Sequence, residues 1–193
     1  MTSGRWLLLW LFLLAVMTRA TDARGDQQAT SVDPRLQDYL GTYRYVGGEA
    51  EVEALDAAID EVVSQMSFLV RGIARHRLRE PNLPSKKVII SLENEDLQID
   101  RPGQPEVSAP ASGKPITWSN PEEGDVFEVR QGIDEDGVLY QRFKGDRSVS
   151  RNDFVLGDGG KRLTIRTRIE SDRLPAPLRF EMSYQRVDSS KSL

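Results

Sequence analysis

The chain has 193 residues, one histidine and no cysteine, and its formal net charge at pH 7 is −4. The lack of cysteine excludes disulfides, thiol catalysis and thiolate metal sites. A single histidine excludes a histidine-rich metal site, and the acidic balance argues against nucleic-acid binding, which needs a basic surface. We therefore expect a domain held together by its core, with no cofactor and no nucleic-acid partner.

Residues 1–23 have the parts of a secretory signal peptide. Arg5 supplies a positive start, residues 6–17 are all apolar, and small residues follow at Ala20 and Ala23. A membrane-spanning helix needs roughly 20 apolar residues, so cleavage is favoured over a permanent anchor. We expect a periplasmic or secreted protein. A bacterial periplasm is favoured because the chain has neither cysteines nor a glycosylation sequon.

The remaining chain reads as one domain with polar ends. Residues 24–35 are polar and are expected to form a disordered leader. The domain is expected to cover residues 36–187, with a disordered tail at 188–193. It begins with a short strand-like segment at residues 41–46.

An amphipathic helical block is predicted for residues 49–78. A continuous helix of this length would span roughly 45 Å, so we expect a break near residues 67–72, where Gly72 weakens the helix. The apolar residues recur at spacings of three and four, which is typical of one packed helix face: Val52, Leu55, Ile59, Val62, Met66, Leu69 and Ile73.

Strand and turn signals fill the rest of the domain. In the last two strands apolar and polar residues alternate, which is typical of antiparallel sheet and places Arg166 and Arg168 on the outside. A meander of this length usually closes, because closure removes exposed edges. The sequence predicts a mainly β fold: an antiparallel β-barrel of about ten strands with a helical cap between strands one and two. The nine strands after the helical block are expected at 87–93, 97–101, 106–109, 115–119, 125–133, 138–144, 148–156, 161–171 and 177–187.

In its order of elements the chain resembles the fatty-acid-binding proteins of the calycin group. Residues 41–43, Gly-Thr-Tyr, stand where calycins have Gly-x-Trp, and residues 179–186 are similar to the family's last strand. That strand carries an Arg-x-Tyr pair that contacts the ligand carboxylate. Here Tyr184 matches the tyrosine, whereas Met182 stands where the arginine would be. The resemblance implies a capped barrel for a lipid-like ligand, with both residues at the site.

Two further pairs of residues are candidates for orienting a ligand headgroup. One register of the strands at 125–133 and 138–144 places Gln131 and Gln141 inside the barrel. The opposite register places Tyr140 and Arg142 inside instead. An apolar pocket with a few polar groups suits a small molecule. A filled barrel core is the alternative interpretation of the same pattern.

The helical block is acidic in its first half and basic in its second half. The basic end is interpreted as a portal for anionic lipids or as a contact with a membrane surface or the cell envelope. The helix dipole explains the same charge split without any partner. The residues expected to form the lid or portal are Met66, Leu69, Ile73 and Arg75.

Signals of catalysis are few. His76 lies in a basic helical stretch, and nothing in the sequence places a serine beside it. The acidic run at residues 134–136 lacks the spacing of a calcium loop and is typical of a hairpin tip. We expect an exported, non-enzymatic binding protein for a hydrophobic or amphipathic, lipid-like small molecule. The alternative is a structural or interaction protein of the bacterial cell envelope with a filled barrel.

Overall fold

The computed structural model describes residues 32–121 and 124–187. The predicted signal peptide at residues 1–23 and the predicted tail at 188–193 lie outside these ranges. Most of the predicted leader does too, but its last residues, Pro34 and Arg35, lie in a 3-10 helix. The predicted domain boundaries stay predictions.

The described residues form ten strands, two α-helices and three short 3-10 helices. The helices α1 (Gly48–Ser64) and α2 (Phe68–Arg79) follow the first strand, and the 3-10 helices cover Pro34–Tyr39, Glu80–Asn82 and Asp158–Gly160. The strands are β1 (Gly41–Tyr45), β2 (Lys87–Glu93), β3 (Asp96–Asp100), β4 (Ser108–Pro110), β5 (Ile116–Ser119), β6 (Val126–Ile133), β7 (Leu139–Lys144), β8 (Ser148–Gly157), β9 (Arg162–Ser171) and β10 (Leu178–Arg186).

The strands form one antiparallel sheet that curls into a nearly closed barrel. The sheet order is β4-β3-β2-β1-β10-β9-β8-β7-β6-β5, so β1 pairs with both β2 and β10. The seam between β4 and β6 is closed by a bridge between Ser112 and Gly132 and by the Gly113 N–H, which donates to the Gln131 carbonyl at 3.0 Å. The predicted fold is confirmed: a mainly β, ten-stranded antiparallel barrel with helices between strands one and two.

The two helices differ in how they are attached. α1 buries Leu55, Ile59, Val62 and Val63, and the carboxylate of Glu51 accepts the backbone N–H of Ser183 in β10 at 2.8 Å. α2 has no buried residue. The predicted stripe therefore packs on the core through its α1 residues, while α2 contacts the core through the partly buried Ala74 and Leu78. α1 covers the end of the barrel at which β1 ends.

The break between the helices lies at residues 65–67, at the start of the range in which the sequence predicted it. α1 ends at Ser64, and Ser67 has an extended backbone with ψ 140°, which redirects the chain into α2. Gly72 lies inside α2. The helix tolerates this glycine, because its cost of about 1 kcal/mol relative to alanine is smaller than that of ending a helix in mid-run.

The opposite end of the barrel is closed by the first 3-10 helix and by Arg186. Leu36 and Tyr39 of that helix are buried, and Tyr43 donates its hydroxyl to the Tyr39 carbonyl at 2.9 Å. The Arg186 guanidinium lies 4.9 Å from the centre of the Tyr43 ring and donates to the carbonyls of Gly160 and Leu40 at 2.8 Å each. It also donates to the Asp38 carbonyl and to the Tyr43 hydroxyl. One cation thus ties four segments together.

Candidate functional site

A row of polar side chains crosses the inside of the barrel at one level. Gln131, Gln141, Asn152 and Thr167 lie directly opposite one another on β6, β7, β8 and β9, and all four are buried. Strand alternation explains the row, because each residue lies two positions from a buried apolar residue of its own strand. Of the two registers left open by the sequence, the structure has the one with Gln131 and Gln141 inside.

Tyr140 and Arg142 therefore lie on the outer face of β7, and the alternative register is wrong. The Tyr140 ring is covered by the guanidinium of Arg151 at 4.9 Å from its centre. The register is decided by long-range pairing, since Val129 lies opposite Phe143 and both pack in a second apolar cluster with Val107. Neither outer residue can contact a ligand inside the barrel.

Gln131 makes its side-chain hydrogen bonds to other strands of the barrel. Its amide donates to the carbonyls of Leu97 in β3 and Ala109 in β4. Its own amide oxygen accepts from Gln141 Nε2 at 3.0 Å. Gln131 therefore joins β6 to β3 and β4 and holds the seam closed. Gln141 is the member of this pair that faces further into the interior.

The sequence analysis missed the charged group of the site, Arg101. Arg101 comes directly after β3, two residues beyond Ile99 and four beyond Leu97, both of which are buried. Alternation therefore points its side chain into the barrel. Its Nη2 donates to Gln141 Oε1 at 3.4 Å, and its guanidinium lies 5.8 Å from the centre of the Phe154 ring. Its buried Nε has no hydrogen-bond partner.

The electrostatic surroundings of Arg101 leave its charge uncompensated. Among the described residues no carboxylate lies within ion-pair distance of it. Burial lowers the pKa of Arg101, and the nearby Tyr184 acts in the opposite direction. A guanidinium stays protonated over the whole physiological range even so. The barrel therefore holds, on a partly buried side chain, a positive charge with no acidic partner among the described residues.

Arg101 lines two small cavities in the barrel. The larger has a volume of about 160 Å³ and the smaller about 30 Å³. Pockets for drug-sized ligands usually measure roughly 300–1,000 Å³, so the interior has room for a small molecule in this state and no more. The larger cavity is lined by Arg101, Gln104, Val107, Gln141, Phe143 and Asn152, among others.

Met182 and Tyr184 line the smaller cavity, together with Arg101. Both are buried, and the Tyr184 ring meets the Tyr45 ring edge-on with their centres 5.5 Å apart. Burial raises the pKa of Tyr184 to about 12, so the phenol is neutral. The position on β10 that the resemblance assigns to an arginine holds Met182. The guanidinium at this cavity comes instead from Arg101, which follows β3.

A wider depression lies at the end of the barrel that carries the helices. It has a volume of about 420 Å³ and is lined by the start of β6, the turn between β7 and β8, and the end of β9. Phe127 faces into it, and the Phe127 and Phe143 rings pack edge-on with centres 6.2 Å apart. Phe143 lines the larger Arg101 cavity. These two rings therefore lie between the depression and that cavity.

The predicted lid residues lie on the outside of the molecule. Leu69 and Ile73 of α2 are 72% and 61% exposed, and neither packs on the barrel. Met66 is partly buried against the core, and Arg75 pairs with Asp60 of α1 at 2.5 Å. The two apolar side chains were expected to continue the packed stripe of α1, and this expectation is wrong, because the break at residues 65–67 turns their face to solvent.

No metal site is found among the described residues. His76 is exposed on α2 with its Nδ1 3.8 Å from Glu80. Within residues 32–121 and 124–187, no group of three or more histidine and acidic side chains could hold a metal ion. No helix in those ranges has the length and apolar content needed to cross a membrane.

Asn152 and Thr167 were also missed by the sequence analysis. Thr167 donates its hydroxyl to Asn152 Oδ1 at 2.8 Å. The signal for all three missed residues was period-two alternation. Arg101 continues the phase of Leu97 and Ile99, Asn152 that of Phe154, and Thr167 that of Ile165.

Comparison with known proteins gives structural matches only. No protein-family model matches the chain, and no curated protein matches it in sequence. It is similar to lipid binding protein 8 of Caenorhabditis elegans, with 12% identity, a TM-score of 0.49 and coverage of 81% of this chain and 99% of that chain. For a Schistosoma mansoni fatty acid binding protein in complex with arachidonic acid, identity is 11%, the TM-score is 0.46 and coverage is 80% and 99%. For a variant of the fluorescent protein UnaG, identity is 13%, the TM-score is 0.47, and the match covers 79% of this chain and 99% of that chain. The likeness is one of overall fold only.

Proposed function

We propose that this protein is a non-enzymatic binding protein that holds a small amphipathic anion inside its barrel. The observation that carries the proposal is Arg101, a partly buried cation whose buried Nε has no hydrogen-bond partner, at the wall of a half-open cavity of the barrel. A charge without a partner is costly in an interior, and an anionic ligand would remove that cost. Its apolar part would lie against Phe143 and Val107.

The size of the cavity sets the length of the apolar part. About 160 Å³ lies well below the roughly 300–1,000 Å³ of pockets for drug-sized ligands, and is too small for a long acyl chain. The ligand that fits without rearrangement is a short one. A longer, lipid-like ligand would need the Phe127–Phe143 pair to separate, which would join the cavity to the depression above it.

A calorimetric titration series tests this function. Carboxylates from butanoate through octanoate to hexadecanoate are compared with the matching alcohols, on the wild type and on Arg101→Met. We expect the substitution to weaken carboxylate binding by about 10- to 100-fold, the value of one to two charged hydrogen bonds, and to leave the alcohols unaffected. Arg44→Met, an exposed arginine on the outside of β1, is the matched control. Equal carboxylate affinities of the wild type and Arg101→Met would refute the proposal.

A second candidate function is contact with an anionic membrane surface of the cell envelope. The observation that favours it is the exposed apolar surface of α2, where Phe68, Leu69 and Ile73 are 78%, 72% and 61% exposed. The helix contains four arginines and no acidic residue. Exposed apolar residues beside arginines are typical of helices that lie in a membrane interface.

Vesicle sedimentation separates this candidate from the first. We expect the protein to bind vesicles of phosphatidylglycerol but not of phosphatidylcholine, and Leu69→Ser with Ile73→Ser to abolish binding. Val126→Ser is the matched control, since Val126 is 56% exposed on β6, away from α2. Equal losses in both variants would exclude α2 as the contact.

Both candidate functions assume that the protein is exported. We infer a periplasmic or secreted protein from the composition of residues 1–23 alone. Fractionation of the source cells, with the N-terminal sequence of the mature protein, tests this inference. Recovery of the uncleaved chain from the cytoplasm would contradict it.

A further inference from the structure

A row of five arginines crosses the outer face of the barrel. The strand registers place them directly opposite one another on five successive strands, from β6 to β10. Neighbouring strands lie about 4.8 Å apart, so the row extends over about 19 Å. Its members, called the arginine row below, are Arg130, Arg142, Arg151, Arg168 and Arg179.

This arrangement of arginines does not stabilise the sheet. Like charges directly opposite one another on a sheet are destabilising, and opposite charges stabilise. The next row on the same face follows the favourable rule: Asp153 lies opposite Arg166, which lies opposite Glu181 and pairs with it at 3.0 Å. The arginine row departs from that rule at four successive pairings.

Carboxylates compensate only part of the row. Arg130 pairs with Glu128 at 3.0 Å, and Arg168 pairs with Glu170. The central Arg151 is held by Asp134 at 2.7 Å and by Asp153 at 2.6 Å. The five arginines and these four carboxylates together carry a net charge of +1. The two remaining members have no carboxylate within ion-pair distance among the described residues.

Arg142 and Arg179 are the members without an ion pair, although Arg130 and, more weakly, Arg142 lower the pKa of the nearby Glu128. Neither makes an ion pair with any described residue. They lie three strand spacings apart, which is about 14 Å. A single carboxylate or phosphate group cannot reach both, so a partner that contacts both must carry at least two negative charges separated along its length.

We propose that the arginine row binds an acidic polysaccharide, a chain whose sugar units carry carboxylates. The planar guanidinium of arginine matches a carboxylate in a two-bond geometry, and the row repeats that group at regular spacing. An acidic peptide would gain no strand pairing here, because β6 to β10 already use their edges within the sheet. A membrane surface fits less well, since none of the exposed large apolar side chains of the described residues lies in the row, and Val126 of β6 is four residues away from Arg130.

A binding titration with fluorescently labelled polygalacturonate tests the proposal. The purified protein is titrated at low and at physiological salt, with uncharged dextran as the control polymer. We expect saturable binding of polygalacturonate that weakens with salt. The double substitution Arg142→Gln with Arg179→Gln should weaken binding about tenfold at low salt and reduce the salt dependence.

The matched control removes two exposed arginines that lie off the row on the same outer surface. Arg44 on β1 and Arg162 at the start of β9 make no ion pair with a described residue, so Arg44→Gln with Arg162→Gln changes the net charge equally. We expect this control to bind like the wild type. Equal weakening by both double variants, or tighter binding of polyglutamate or of phosphatidylglycerol vesicles than of polygalacturonate, would overturn the proposal.

Discussion

Closure of the barrel depends on the absence of a side chain at Gly132. A Cβ atom at this position would lie 2.6 Å from the Ala111 carbonyl oxygen and 3.3 Å from the Gly113 nitrogen. Both contacts are with backbone, which cannot rotate away. The substitution Gly132→Ala should therefore push the segment after β4 away from β6 and open the seam.

The expected cost follows from the hydrogen bonds at the seam. The Gly113 N–H loses the Gln131 carbonyl, and the amide of Gln131 loses the Ala109 carbonyl. With net values of about 1 kcal/mol for each bond, and more for the buried amide left unpaired, the loss is about 2–4 kcal/mol. In a domain of this size the melting temperature should fall by about 5–15 °C.

Gly72 provides a control of opposite sign. A Cβ there meets nothing within 4 Å, and the residue lies inside α2. Gly72→Ala should raise the free energy of unfolding by about 1 kcal/mol through helix propensity. Both variants are compared by thermal and urea unfolding. A Gly132→Ala protein at least as stable as the wild type would refute the closure argument.

Three further outcomes are expected. Leu55→Ala, at a fully buried position of α1, should lower the free energy of unfolding by about 2–5 kcal/mol, whereas Leu69→Ala on the exposed face of α2 should change it by less than about 0.5 kcal/mol, as urea unfolding would show. Arg186→Met removes a guanidinium that ties four segments together and should cost about 3 kcal/mol; an unchanged melting temperature would contradict that role. Burial raises the pKa of Tyr43 and Tyr184 to about 12, above the unfolded value of about 10, so stability should be full below pH 10 and fall between pH 10 and 12. Tyrosinate absorbance of folded and urea-unfolded protein checks this shift.

The strands were predictable because each has one wet face and one dry face. Leu163, Ile165 and Thr167 alternate with outward residues in the sequence, and all three are buried in the structure. The turn between β2 and β3 is equally local, since Asn94 and Glu95 both adopt positive φ, as a tight hairpin requires. Patterns of this kind can be read from residues that are close together in the sequence.

The helix break and the strand register required information from further away. Leu69 continues the apolar spacing of α1, so periodicity alone could not show that the chain turns at residues 65–67. The choice between Gln141 and Tyr140 as the inward residue depends on pairing across two hairpins and on the seam at Gly132. These contacts join residues far apart in sequence. The local sequence pattern gives no information about such contacts.

Arg101 decides between a binding site and a filled barrel, and its effect on stability separates the two. A purely structural arginine inside the barrel would be paired, and replacing it would leave its partner buried and unsatisfied, at a cost of about 3–5 kcal/mol. Arg101 has no acidic partner among the described residues, and its Nε makes no hydrogen bond. Removing it loses the long hydrogen bond to Gln141 and the contact of the guanidinium with the Phe154 ring, and leaves no buried carboxylate unpaired among the described residues. Arg101→Met should therefore keep or raise the melting temperature of the ligand-free protein while weakening anion binding. A large loss of stability would instead assign Arg101 to the core and favour the filled barrel.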